Sequence, residues 1–277
     1  MKKLFTLILT VIMAVACCLG LTACGKELTG FDIDLSKKVV AYLNQQEGVE
    51  LEIEFQEIEW SAKEALLENG TIDLVWNGMT ITEERAANMC VSVPYLLNKQ
   101  VAVIRATDVD TFDSSFVAQA NVGAEAGSAG EEMIELMGIG AEYISSTSQL
   151  DALTALDNGT IDIAVIDSVM AGYYTSTGVY KDSLVIVEGA LAVEEYGIAA
   201  KKGNEAFMSK INEALIALVE TDYAEVIAQY GLAESVALTA DAVNPYANAT
   251  DNSWNDIVAS GKIVIGYTVF APIAYMA

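Results

Sequence analysis

Residues 67–73 (LENGTID) recur as residues 156–162 (LDNGTID), and this internal repeat constrains the fold more than any other feature of the chain. In each copy an Asn-Gly pair ends a predicted helix, and an apolar strand follows, at residues 74–76 and 163–166. Two such units roughly 90 residues apart indicate two lobes built alike, with a cleft between them where strands end. The alternative is that the repeat is only a turn common to many α/β proteins.

Helical and strand-like hydrophobic patterns alternate along the chain, which predicts an α/β fold whose two similar lobes each contain a mainly parallel sheet flanked by helices. Helices are predicted at residues 30–45, 61–68, 130–137 and 149–157, and strands at 49–58, 74–76, 101–104, 122–125, 163–166, 184–187, 197–201 and 262–267. Residues 204–230 form an amphipathic stretch with helical spacing, and residues 239–256, rich in Ala, Asn, Asp and Thr, are predicted to be a linker.

The N-terminus has the pattern of an export signal, because Lys2 and Lys3 precede an apolar run at residues 4–21. An uncleaved membrane helix is the alternative. The Leu-Thr-Ala-Cys that ends the run resembles a bacterial lipobox, which implies that residues 1–24 are a lipoprotein signal peptide and that Cys24 is lipidated. We therefore expect an extracytoplasmic protein held at the cell membrane by this lipid anchor.

Composition excludes several classes of site. Acidic residues outnumber basic ones by 39 to 14, which argues against nucleic acid or an anionic membrane surface as a partner. The chain has no histidine, and once Cys17 and Cys18 are removed with the signal peptide and Cys24 is lipidated, only Cys90 remains as a free thiol. Ordinary zinc sites, Ser-His triads and Cys-His pairs are thus excluded, so we expect no metal, no cofactor and no catalytic residue.

Arg85 lies where a helix dipole disfavours a cation, since Thr82 is a predicted N-cap just before it. Such an arginine can hold an anion, or it can pair with a neighbouring glutamate. Residues 78–85 (GMTITEER) resemble the loop that grips the ligand α-carboxylate in polar amino-acid-binding proteins of ABC importers. The resemblance implies that Arg85 takes the carboxylate, with Gly78 and Thr80 completing its surroundings.

Further segments carry the same resemblance. Asp167 follows the strand at residues 163–166, and the resemblance implies that it anchors the ligand α-ammonium; from spacing alone it could equally cap the next turn or helix. Ser128 and Ala129 lie in a glycine-rich turn that resembles the family's second carboxylate contact. Other matching segments are 28–35 (LTGFDIDL), 93–95 (VPY) and 196–199 (YGIA).

The order of the segments departs from the family pattern. The family's first strand precedes the Leu-Thr-Gly-Phe motif, whereas here the matching segment is residues 261–272, near the end of the sequence. The chain thus resembles a circularly permuted member, which requires Ala277 to lie near Lys26. A rearranged reading frame is the alternative explanation.

With that strand restored to its place, the resemblance assigns Phe270 and Trp60 as two aromatic walls of the cleft, although either could be plain core. Tyr267 takes the position at which relatives that bind cationic side chains carry an acid. Lysine and arginine are therefore the less expected ligands.

The predicted function is that of a lipid-anchored, monomeric substrate-binding protein that captures an amino acid for the membrane subunits of an ABC importer. Lobe 1 is predicted to comprise residues 27–97 and 195–277, with its first strand at 262–267, and lobe 2 residues 98–194. Two alternatives are an enzyme of the same fold, similar to cyclohexadienyl dehydratase, and a ligand-sensing module. The lack of histidine as a general acid or base speaks against the enzyme, and the lack of a kinase or cyclase segment against the sensor.

Overall fold

The structure is a computed structural model that describes residues 27–176 and 178–277. Its strands are β1 (Leu28–Thr29), β2 (Glu52–Glu57), β3 (Leu74–Thr80), β4 (Met89–Val91), β5 (Leu96–Arg105), β6 (Asn121–Glu125), β7 (Glu142–Ser146), β8 (Ile163–Asp167), β9 (Leu184–Ile186), β10 (Ala192–Lys201), β11 (Lys262–Tyr267) and β12 (Tyr275–Met276). Its α-helices are α1 (Phe31–Glu47), α2 (Lys63–Glu68), α3 (Glu83–Asn88), α4 (Ser114–Gln119), α5 (Ala129–Met137), α6 (Gln149–Asp157), α7 (Ser168–Ser176), α8 (Glu205–Leu218), α9 (Asp222–Tyr230) and α10 (Ser253–Ser260).

One sheet runs through the molecule in the order β2-β11-β3-β10-β5-β8-β6-β7. The outer strands on each side pair in parallel, β2 with β11 and β11 with β3 in one lobe, and β8 with β6 and β6 with β7 in the other. The two central strands, β5 and β10, pair antiparallel with each other and with their neighbours. The α/β prediction is confirmed, and parallel pairing holds for the outer strands of each lobe.

Two sets of buried side chains lie on either side of the central strands. Residues within 101–191 form the hydrophobic clusters around β6 and β8. The clusters around β3 and β11 come from the rest of the chain, apart from a few contacts from lobe 2 such as Met170. The predicted lobe boundaries, at 97/98 and 194/195, fall within β5 and β10 and stay a prediction.

The repeated segments adopt the same turn. Asn69 Oδ1 accepts a hydrogen bond from Thr71 N at 2.9 Å after α2, and Asn158 Oδ1 accepts one from Thr160 N at 3.0 Å after α6. The glycine that follows each asparagine has a φ of 74° and 82°, respectively, a conformation that favours glycine. The Asn-Gly pairs therefore end both helices by the same mechanism.

The aspartate that closes each repeat shows which strands of the two lobes correspond. Asp73 Oδ2 accepts from Val264 N of β11 at 2.8 Å, and Asp162 Oδ2 accepts from Asn121 N of β6 at 3.0 Å. Thus β11 takes the place in lobe 1 that β6 takes in lobe 2. In lobe 2, β6, β7 and β8 follow one another in the sequence. In lobe 1, the strand equivalent to β6 is β11, which follows β2 and β3 in the sequence.

The prediction that the late strand inserts between its two neighbours is confirmed. β11 pairs in parallel with β2 along its whole length and with β3 at Ile265 and Gly266, and its residues 263–267 are buried. The chain also closes as predicted, since the backbones of Glu27 and Ala277 exchange hydrogen bonds of 3.1 and 3.0 Å. Lys26 itself lies outside the described residues.

Two predicted segments differ in detail. The amphipathic stretch 204–230 forms two helices, α8 and α9, rather than one. The predicted linker 239–256 contains turns up to residue 252, but its last four residues begin α10. Helix forms there because Trp254 stacks on Phe207, with ring centroids 6.4 Å apart, and Ile257 is buried one turn later.

The predicted signal peptide at residues 1–24 and the lipidation site Cys24 lie outside the described residues. Within 27–176 and 178–277, none of the helices has the length and apolar character needed to cross a bilayer.

Candidate ligand-binding cleft

Residues of both lobes line one small, nearly closed cavity. Lobe 1 contributes Trp60, Asn77, Gly78, Thr80, Arg85, Thr268 and Phe270, and lobe 2 contributes Glu125, Ser128, Ala129, Gln149 and Asp167. All of the predicted ligand contacts except Tyr267 are therefore brought together around one cavity.

Arg85 is a buried cation at the start of α3. Its backbone N–H donates to Thr82 Oγ1 at 3.1 Å, which confirms Thr82 as the N-cap. Its guanidinium donates from Nη1 to Thr80 O (2.9 Å) and from Nη2 to Gly127 O (3.3 Å) and Glu132 Oε1 (2.6 Å). The carboxylate partner thus comes from α5 across the cleft and not from a neighbour in α3. Arg85 is in a position to bind a ligand carboxylate in the same way.

Asp167 ends β8 inside the cavity. Its Oδ1 accepts from Asn98 Nδ2 at 2.5 Å and from Gln100 Nε2 at 2.7 Å, and its Oδ2 accepts from Gln149 Nε2. Asn98, and not Asp167, accepts the hydrogen bond from the start of α7, since Val169 N donates to Asn98 Oδ1 at 3.3 Å. The carboxylate of Asp167 therefore has no capping role here and faces the cavity.

Glu194 of β10 lies beside Asp167. Its Oε1 accepts from the same two amide groups, Asn98 Nδ2 at 2.5 Å and Gln100 Nε2 at 2.8 Å. Burial, and then repulsion by Asp167, raises the pKa of Glu194 to about 8, and burial also raises the pKa of Asp167. A buried and a half-buried carboxyl group held together in this way favour the arrival of a cation such as an ammonium group.

Two aromatic residues, Trp60 and Phe270, line the cavity. Trp60 and Phe270 are both buried, and Lys63 Nζ lies 4.8 Å from the centroid of the Trp60 ring. Gly78 has a φ of 62°, and a Cβ at this position would lie 2.7 Å from Phe270 Cε1. A side chain at position 78 of β3 would therefore collide with the Phe270 ring, and glycine avoids this.

Two of the matched segments support the cavity from behind. Gly78 N donates to Asp32 Oδ2 at 2.8 Å and to Tyr95 Oη at 3.2 Å, and Tyr95 Oη donates to the same Asp32 oxygen at 2.8 Å. Burial raises the pKa of Asp32 to about 7. Residues 28–35 and 93–95 thus position the loop at Gly78, and neither Asp32 nor Tyr95 lines the cavity.

The structure places Tyr267 outside the cavity. Its ring packs edge-on against Phe55, with centroids 6.4 Å apart, and the next residue, Thr268, lines the cavity instead. The reason is that successive side chains in an extended segment point in opposite directions. The expectation that Tyr267 contacts the ligand and disfavours lysine and arginine therefore has no structural basis.

Sequence reasoning missed four residues that line the cavity, Asn77, Glu125, Gln149 and Thr268. Asn77 lies beside the recognised loop in β3, and Glu125 ends β6, so the rule that ligands bind at the ends of parallel strands could have found both. Thr268 follows the end of β11 and could have been found in the same way. Gln149 begins α6 and has no comparable signal.

Comparisons with known proteins agree with this geometry. Residues 21–233 match the family "Bacterial extracellular solute-binding proteins, family 3". A probable histidine-binding protein of Neisseria gonorrhoeae is 28% identical over 74% of this chain and 75% of its own. The crystal structure of an ABC uptake transporter substrate-binding protein from Streptococcus pneumoniae with bound histidine is 32% identical, covers 76% of this chain and 85% of its own, and has a TM-score of 0.67.

An ancestral amino-acid-binding protein, a precursor of cyclohexadienyl dehydratase, is also similar. It is 25% identical, covers 73% of this chain and 85% of its own, and has a TM-score of 0.64. Because the family match spans most of the sequence, the chain belongs to the bacterial extracellular solute-binding proteins of family 3.

Proposed function

We propose that this protein captures an amino acid outside the cytoplasm and delivers it to the membrane subunits of an ABC importer. The observation that carries the proposal is that Arg85 from one lobe and Asp167 from the other line the same small cavity. A guanidinium and a carboxylate so placed are complementary to the α-carboxylate and α-ammonium of a zwitterion.

We further propose that the protein acts as a monomer anchored to the membrane through Cys24. The anchor is supported by the Leu-Thr-Ala-Cys sequence that ends the apolar run.

We also propose that the chain is a circularly permuted member of its family. The family match ends at residue 233, before β11 begins, and β11 nevertheless occupies the place that the first strand takes in lobe 2. The backbone bonds between Glu27 and Ala277 support this proposal, because permutation requires the segment after β11 to lie close to the segment before β1.

The experiment that tests the function is calorimetric titration of the purified protein with each of the common amino acids. We expect at least one to bind with a stoichiometry of one per chain. If none binds, the proposed function is wrong.

An acid–base enzyme is the second candidate, favoured by one observation. Burial raises the pKa of Glu125 to about 8, so this cavity residue could donate a proton at neutral pH. The ancestral protein, 85% of whose chain is covered, is named as a precursor of a dehydratase. Incubation with prephenate-like acids separates the two functions, because only the enzyme converts them to product.

Replacing Asp167 with asparagine should weaken the binding of zwitterionic amino acids by roughly 2 kcal/mol or more, because the change keeps the shape but removes the charge opposite the ammonium. Calorimetric titration measures the change. Asp157→Asn, at the exposed end of α6, is the matched control and should bind like the parent. Unchanged affinity in Asp167→Asn would make Asp167 a structural residue and favour a ligand without an amino group.

Ligand should close the two lobes around the cavity. Lys63 Nζ and Arg85 Nη2 of lobe 1 both donate to Gly127 O of lobe 2, at 3.0 and 3.3 Å. The two lobes therefore touch beside Arg85, where the ligand carboxylate is proposed to bind. We expect the hinges near residues 98–101 and 194–197, where β5 and β10 pass from one lobe to the other. Small-angle scattering with and without ligand should show contraction, and identical curves at saturation would contradict a hinge mechanism.

A further inference from the structure

The cavity contains two buried oxygen atoms that lack donors. Asn77 Oδ1 and Glu125 Oε1 have no hydrogen-bond partner among residues 27–176 and 178–277. The two residues are 2% and 4% exposed, and they line the cavity from opposite lobes. A buried acceptor without a donor is costly, so the pair indicates that a bound molecule supplies the missing donors.

The protein's own nearby donors make other contacts. Asn77 Nδ2 donates to Thr268 Oγ1 at 3.0 Å. The buried ammonium of Lys63 donates to Gly127 O at 3.0 Å and to Trp60 O at 3.4 Å. Neither group is hydrogen-bonded to Glu125, so these contacts leave Glu125 Oε1 available to a ligand.

The balance of charge indicates what kind of donor is needed. Asp167, Glu194 and Glu125 bring three carboxyl groups to this region, and Arg85 is already paired with Glu132 at 2.6 Å. Burial raises the pKa of Glu125, and the charge of Lys63 lowers it only in part. A ligand that brings a second positive charge would offset this excess of acidic groups.

We propose that the ligand is an amino acid whose side chain ends in a cationic group, held by Glu125 and Asn77. This inference rests on the proposed function, since it assumes that Arg85 and Asp167 hold the amino-acid backbone. The side chain would then extend between Trp60 and Phe270, whose ring faces also attract a cation.

The test compares pairs of amino acids that differ in charge but little in shape. Calorimetric titration of the purified protein should show that arginine or lysine binds at least about tenfold more tightly than its neutral counterpart, citrulline or norleucine. Stronger binding of a neutral or acidic amino acid than of arginine and lysine would overturn this inference and leave the proposed function intact. Failure of every amino acid to bind would overturn the proposed function itself.

The variant Glu125→Gln tests whether Glu125 causes the preference for a positively charged side chain. The variant should lose most of the preference for the charged member of the pair, while Glu142→Gln, an exposed charge removal in the same lobe, should keep it. An unchanged preference in a folded Glu125→Gln variant would overturn the role of Glu125. If that variant does not fold, the comparison of arginine with citrulline in the unaltered protein still decides the ligand class.

Discussion

Arg85→Ala should abolish detectable amino-acid binding while the protein remains folded. The change removes a buried guanidinium whose two nitrogens reach Thr80 O, Gly127 O and Glu132. Loss of such a charge-assisted contact in a closed cleft costs about 2 to 5 kcal/mol, which weakens binding by roughly 30-fold or more. Calorimetric titration measures the loss, and thermal unfolding checks the fold.

Two further variants separate the role of Arg85 from a general effect of losing an arginine. Arg85→Lys keeps the charge but cannot bind a carboxylate through two nitrogens, so we expect intermediate affinity. Arg105→Ala removes an arginine that pairs with Asp108 and Asp162 in lobe 2, and it should lower stability without weakening binding. If Arg85→Ala binds like the parent, the carboxylate assignment is wrong.

Much of the fold could be predicted because its signals are local. Helix α6 and strand β11 have the predicted bounds, since each has a clear start, a clear end and a single apolar pattern. Strand β7 was not predicted, because it lies at the edge of the sheet and none of its residues is fully buried. Its conformation depends on pairing with β6, which no local pattern reveals.

The candidate site was predictable to a similar degree. Arg85 and Asp167 were found because they stand next to a helix start and a strand end, where ligands gather. Glu132 was not found as the partner of Arg85, because the two residues meet only when the lobes come together. Tyr267 was assigned to the cavity although Thr268 lines it, since the direction of a side chain at a strand end depends on register.

Deleting residues 261–277 should cost lobe 1 its fold. The segment contains β11, which lies between β2 and β3, and its side chains Ile263, Ile265, Phe270 and Ile273 are all buried. Burial of each such side chain contributes about 1.5 to 3 kcal/mol, so their joint loss is comparable to the roughly 5 to 15 kcal/mol that stabilises a whole domain. The deletion would also expose β2 and β3 as unpaired edges, for which aggregation is the expected outcome.

Relocating the same segment gives the matched control for this deletion. Glu27 and Ala277 face each other in an antiparallel pair, so a short Asn-Gly turn can join residue 277 to residue 27 and place β11 first in the chain. We expect the relocated variant to fold, remain monomeric and bind the same amino acid as the parent, because β11 can then reach the same position between β2 and β3. Size-exclusion chromatography, urea unfolding and calorimetric titration compare the two variants. A truncated protein that stays monomeric, unfolds cooperatively and still binds an amino acid would show that β11 is dispensable, and the permuted arrangement would have to be abandoned.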